Sequence, residues 1–180
     1  RCLQAHVLYH PQDIEAHYYL ALSLLGSGRR GWARDQFLEV ARVGSDLEGI
    51  SDIVLDSFTR AGNLQRELQS DPEPVQKTIL LYFTRQIEII DRKFLQAVPT
   101  DKEIQVMAED EVLFHTGWRK FHQRLDALRS LEKSRIEAVN KANSLLQKTA
   151  IPHKDWASRI QALEDRFQKA VTKLKGKSGL

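Results

Sequence analysis

Cys2, His6 and His10 stand at successive i, i+4 positions, the spacing that lines one face of a helix and offers sulfur and nitrogen ligands to a zinc ion. No carboxylate completes the set nearby, so the three read as the polar side of a helix end and no metal is expected. Glu111, His115 and His122 also share a helical face and read as a polar stripe rather than a ligand set. Gly26-Ser27-Gly28 lacks the Gly-Lys-Ser/Thr that a phosphate-binding loop needs, and it follows a helical pattern rather than a strand. No Gly-x-Ser-x-Gly, His-Glu-x-x-His or Cys-x-x-Cys run occurs, and no nucleophile, base and orienting group can be assembled. The expectation is a protein that is not an enzyme and carries no cofactor.

The basic residues carry more weight. Arg119, Lys120, Arg124, Arg129, Lys133, Arg135, Lys141 and Lys148 fall outside an apolar seam, and Lys169, Lys173, Lys175 and Lys177 cluster near the end. Between Asp46 and Gly117 there are 7 Lys and Arg against 14 Asp and Glu, whereas between Trp118 and Leu180 there are 15 against 6. The overall charge of +3 therefore hides an acidic middle and a basic final third. Such a surface either binds phosphates of nucleic acid or anionic lipid, or docks on acidic protein, including the middle of the same chain. The second reading is adopted, and nucleic acid or an anionic membrane surface is the runner-up.

These side chains must be held by helices. The 180 residues carry 42% hydrophobic and 28% charged residues, with 9 Gly and 5 Pro, a globular composition. Strand signals are absent. Ile14 to Leu25 and Trp32 to Val43 read as a helical hairpin around Gly26-Ser27-Gly28. Leu47 to Ala61 reads as a helix ended by Gly62, and Leu64 to Leu68 as a separate short one. Val75, Ile79, Leu80, Phe83, Ile87, Ile90, Phe94 and Val98 give the next helix a wide apolar arc, ended by Pro99. Thr100 and Glu103 form a capping box. An a/d seam then runs Ile104, Met107, Glu111, Phe114, Trp118, Phe121, Leu125, Leu128. It slips phase and resumes as Ile136, Val139, Asn143 and Leu146, which predicts a change of packing partner after Leu128. As one helix, Asp101 to Lys148 would span roughly 70 Å, with Gly117 its weak point. Trp156, Ile160, Leu163, Phe167, Ala170 and Leu174 make a final seam that folds back antiparallel.

Ile14 to Asp46 resembles a tetratricopeptide repeat, through His17, Leu20, Ala21, Leu24, Ala33, Phe37, Val40 and Ser45, with Gly28 at the turn. Advancing by the family's period of about 34 residues reaches Ser51, Val54, Leu55, Phe58 and Gly62, with Glu67 in place of a small residue. Going back by the same period reaches Leu3, His6 and Pro11, so Arg1 to His10 reads as the last helix of a preceding repeat. The expected fold is all-α. It is a short helical-hairpin array over residues 1–71, capped by long helices over 72–180 that form an antiparallel bundle or coiled coil.

The resemblance implies a protein-binding adaptor or scaffold whose groove takes a peptide or helix of another protein. Its groove-facing slots are Tyr18, Leu22, Leu25, Asp52, Asp56 and Thr59, an apolar patch beside an acidic one, which suits an apolar or basic ligand segment. Phe114, Trp118, Phe121, Trp156 and Phe167 form the expected assembly seam, open to self-association into a homo-oligomer or to a partner helix. The chain begins at Arg1 without Met and reads as a piece of a longer protein; with one cysteine, a reducing compartment such as the cytoplasm is expected.

Overall fold

A computed structural model describes residues 2–178, with no side-chain description for 177 and 178, so the Lys177 side chain of the basic cluster lies outside the described residues. The described residues form eight α-helices and no strand: α1 (Cys2–Tyr9), α2 (Ile14–Gly26), α3 (Arg30–Gly44), α4 (Asp52–Glu67), α5 (Glu73–Ala97), α6 (Asp101–Phe114), α7 (Gly117–Leu146) and α8 (Trp156–Ser178). The all-α class is as the sequence predicts. None of the described helices is long and apolar enough to cross a membrane.

The chain divides into two compact units, one running to residue 89 and including 138–152, the other comprising 90–137 and 153 onward. The borders fall inside α5 and α7, not at 71/72. The reason lies in two polar side chains of α5 that the apolar pattern does not mark. Buried Gln86 donates from Nε2 to the carbonyls of Ser45 (3.1 Å) and Leu47 (2.7 Å). The buried Tyr82 hydroxyl accepts from the Ser51 backbone N–H at 3.2 Å and donates to the Gly49 carbonyl at 3.4 Å. Together they tie the start of α5 to the 45–51 loop, so this half of the helix belongs with α2–α4.

In the first unit, Asp13 caps α2 by accepting the Ala16 N–H at 3.0 Å. Gly28 turns the chain at φ +76°, a conformation that a side chain would strain. Ala21 and Ala33 are fully buried where α2 and α3 meet, and Phe37 and Val40 continue the interior. Gly44 lies so close to α4 that a Cβ there would stand 2.7 Å from a Val54 methyl. Leu47 is outside any helix, and α4 passes through Gly62 instead of ending there, because buried Ala61 and Leu64 pack on either side of it. Along α5, Leu80 is exposed although its spacing placed it on the apolar arc.

In the second unit, Phe121 stacks on Phe167 at 4.2 Å between ring centroids, and Phe94 stacks on Trp156 at 3.8 Å. Ile104, Met107, Leu125, Leu128, Ile160 and Leu163 fill the space between. The Thr100–Glu103 capping box opens α6. The long helix read from Asp101 to Lys148 is broken at His115 and Thr116. His115 takes the left-handed conformation at φ 55°, and the chain doubles back so that Gly117 rests directly on the α6 backbone. Glu111, the misfit in the seam, is the reason the corner holds. Its buried carboxylate accepts the Trp118 N–H at 3.0 Å and sits at the start of α7, where the helix leaves unpaired donors.

The ion-pair partners of α7 shift from α6 to α5 after Leu128, while α8 lies against it on both sides of that residue. Before it, Lys120 and Arg124 reach Asp110 and Glu103 of α6; beyond it, Arg135 pairs with Asp91 of α5. The resumed stripe is Arg135, Ala138, Val139, Ala142 and Leu146, with Ile136 turned outward. In the first unit, half-buried Asn143 holds the turn after α7: it donates to the Ile151 carbonyl and accepts from the N–H groups of Ala150 and Ile151.

Candidate partner-binding site

Tyr18 lies on α2 and Asp56 on α4, the leading helices of the two successive hairpins. The Tyr18 hydroxyl donates to Asp56 Oδ2 at 2.5 Å, and Arg60, one turn further along α4, donates from Nε to the same oxygen. The Arg60 guanidinium lies 6.0 Å from the centre of the Phe37 ring, and Tyr18 meets that ring edge-on at 5.9 Å. Two of the six expected groove residues are thus brought into contact across 38 positions of sequence. Leu22 and Leu25 follow Tyr18 at i+4 and i+7 and are half-buried on the same side of α2. Asp52 and Thr59 flank Asp56 on α4, both exposed; the Thr59 hydroxyl is turned back onto the Leu55 carbonyl. Thr59 also borders a separate cleft of about 330 Å³ between α4, the start of α5 and the end of α7, which the other five residues do not line.

Arg60 is the participant that the sequence reading missed. Its signal was present, a cation four residues after Asp56 on one helix face. Burial raises the Asp56 carboxyl, but hydrogen bonds from Tyr18 and Arg60 and the guanidinium charge outweigh it, and the group titrates below its ordinary 3.8. The Tyr18 hydroxyl is pushed above its ordinary 10.0, chiefly because it donates to that carboxylate. A carboxyl lowered by folding stabilises the fold above its ordinary value and loses that contribution as pH falls through its folded value. A phenol raised by folding stabilises below its ordinary value and loses that contribution as pH rises through its folded value. The junction is therefore at full strength between these limits.

Tyr18→Phe should lower stability at neutral pH by about 0.5–1 kcal/mol, a modest loss because the pair is partly solvated. Urea midpoints of the two proteins should converge at a pH low enough to protonate Asp56. A constant gap down to that pH would show that the hydroxyl acts elsewhere.

Compared with known proteins, the chain matches no family model, no curated protein and no solved structure.

The expected assembly seam is placed differently from the sequence reading. Phe121, Trp156 and Phe167 are buried within the chain's own second unit, and Trp118 is half-buried against Phe167 at 4.8 Å. The antiparallel helices already fill that seam, so these side chains are not on offer to a partner. Only Phe114 stays outside, because the helix breaks beside it. Part of the basic third is engaged within the chain. Lys120, Arg124, Arg129, Arg135, Lys154 and Arg166 pair with Asp110, Glu103, Glu164, Asp91, Asp91 and Asp101 in turn.

The two histidine groups separate into structural roles. His6 bonds Asp13 at 3.0 Å and its ring lies 4.6 Å from that of His10; Cys2 is exposed. No group of three or more metal-ligating side chains occurs among the described residues. His115 approaches Glu111 at 3.9 Å, while His122 stacks on Trp118. Buried His17 uses both ring nitrogens, one against the Pro11 carbonyl and one against Gln36.

Proposed function

We propose that this chain is a non-enzymatic protein-binding adaptor of tetratricopeptide-like build, which takes a peptide or helix of another protein across α2 and α4. The observation that carries the reading is the Tyr18–Asp56–Arg60 junction, which sets the leading helices of two hairpins side by side and leaves Leu22 and Leu25 half-buried beside it. Half-buried leucines on a rigid helical surface present apolar area with little ordering cost on the receptor side. Asp56 is already engaged, so Asp52 is the carboxylate left to select a ligand. The ligand class is an apolar segment carrying a Lys or Arg at one edge.

A displayed library of peptides selected on the intact chain tests this. Leu22→Ser with Leu25→Ser should reduce affinity for selected ligands at least tenfold while the melting curve stays within a few degrees. Asp52→Lys should disfavour ligands with a basic edge. Trp32→Ala, on exposed α3 surface, serves as the control that leaves binding intact. Tyr18 is unsuited as a probe because its removal opens the junction itself. Selected ligands that bind the double variant as tightly as the parent would remove this face from consideration.

A further inference from the structure

Helix α8 runs antiparallel to α7. Arg135 lies over Trp156, Arg129 meets Glu164, and Phe121 stacks on Phe167, so each step back along α7 is a step forward along α8. Continued in that register, the last turns of α8 lie beside the first turn of α7 and the α6–α7 corner. Val171 and Leu174 accordingly share the core with Trp118 and Val112. That end of the second unit has an uncommon surface. Leu113 is 68% exposed and Phe114 67%, at the very tip of the corner. Lys169, Lys173 and Lys175 of α8 and Arg119 of α7 are exposed at the same end, outside the ion pairs of the described residues.

Of the acids at the end of α6, two are engaged and one, exposed Glu109, keeps its charge. Asp110 pairs with Lys120, Glu111 caps α7, and Glu109 accepts from Gln105. Two large exposed apolar side chains at the corner, with exposed cations outside ion pairs at the same end of the unit, combine the two elements of interfacial membrane binding.

We propose that this end of the four-helix unit is a docking site for an anionic lipid surface, with Leu113 and Phe114 entering the acyl boundary and Lys169, Lys173, Lys175 and Arg119 resting on lipid phosphates. The charge favours an anionic surface over a neutral one. The pair of apolar side chains favours a bilayer over nucleic acid: a leucine has no face on which a base can stack, whereas a hydrocarbon layer accepts leucine and phenylalanine alike. The site lies in the second unit and does not depend on the α2–α4 face.

Co-sedimentation of the full chain with vesicles tests it, using phosphatidylcholine alone and phosphatidylcholine with about one-third phosphatidylserine. Binding should occur to the mixed vesicles and be at least tenfold weaker to the neutral ones. Raising salt from about 0.1 M to about 0.5 M should weaken it strongly, since the screening length shrinks. Lys169→Gln with Lys173→Gln should reduce partitioning at least tenfold, at about fivefold per lysine. Leu113→Ser with Phe114→Ser should do the same without lowering the melting temperature, because neither side chain is in the core. Phe114→Trp should retain or tighten binding. No binding to the mixed vesicles would overturn the proposal, as would binding that the Leu113/Phe114 double variant leaves unchanged. Retention of a single-stranded oligonucleotide without vesicle binding would also overturn it and reassign the lysines to nucleic acid.

Discussion

Gly117→Ala is expected to destabilise the protein by about 3–5 kcal/mol, the range in which single substitutions unfold marginal domains. A Cβ at this position would penetrate the Met107 carbonyl oxygen and stand 2.8 Å from the Glu111 backbone nitrogen. Both obstacles are backbone atoms, so no side-chain rearrangement relieves them. The first turn of α7 would have to lift away from α6, and the Glu111 carboxylate would lose its place on the Trp118 N–H. Gly62→Ala is the counterpart. It too lies in a helix, nothing stands within 4 Å of its added Cβ, and it should gain up to about 1 kcal/mol from helix propensity. Chemical denaturation of both variants tests the contrast, and similar losses in the two would refute the close packing of the corner.

The second large effect is expected at Asp91. The Arg135 side chain is only 4% exposed and donates from Nε to Asp91 at 2.9 Å, with the Trp156 ring 5.4 Å from its guanidinium. Lys154 also pairs with Asp91 but is largely in water. Asp91→Ala would leave a buried guanidinium without its carboxylate, a loss of about 3–5 kcal/mol. Replacing both partners, Asp91→Leu with Arg135→Met, should recover most of that loss, because removing a buried pair together is often neutral. A double-mutant cycle by urea denaturation measures the coupling. Additive losses would mean that Asp91 and Arg135 act independently.

The elements set by local chemistry were legible in the sequence. Glycines mark the α2–α3 turn, the Thr100–Glu103 box starts α6, and the Trp156 to Phe167 spacing defines the buried face of α8. The α6–α7 corner was not legible because no proline or glycine occupies its left-handed position. Histidine does, as glutamine does at positions 69 and 147, and each exposed side chain sits where backbone N–H groups turn back onto the last carbonyls of a helix. Glu111 looked like a fault in the seam because the residue it caps lies beyond the break. Tyr82, Gln86 and Arg135 were missed for one physical reason. Each is a polar side chain made burial-competent by partners 31 to 44 positions away, and no periodicity records that. At the candidate site, the resemblance placed Tyr18 and Asp56 on one face, while the hydrogen bond between them follows from the packing of α2 beside α4.

The division of α5 and α7 between the two units bears on how the chain is made. Vectorial synthesis delivers α2, α3, α4 and the first half of α5 early, yet the unit they belong to is complete only once residues 138–152 have been made. The intervening stretch from 90 to 137 belongs to the other unit, whose interior waits in turn for Trp156, Ile160 and Phe167. A nascent chain halted anywhere in α7 would therefore hold two unfinished interiors at once, and proteins that shield exposed apolar surface at the ribosome should retain it until α8 has emerged.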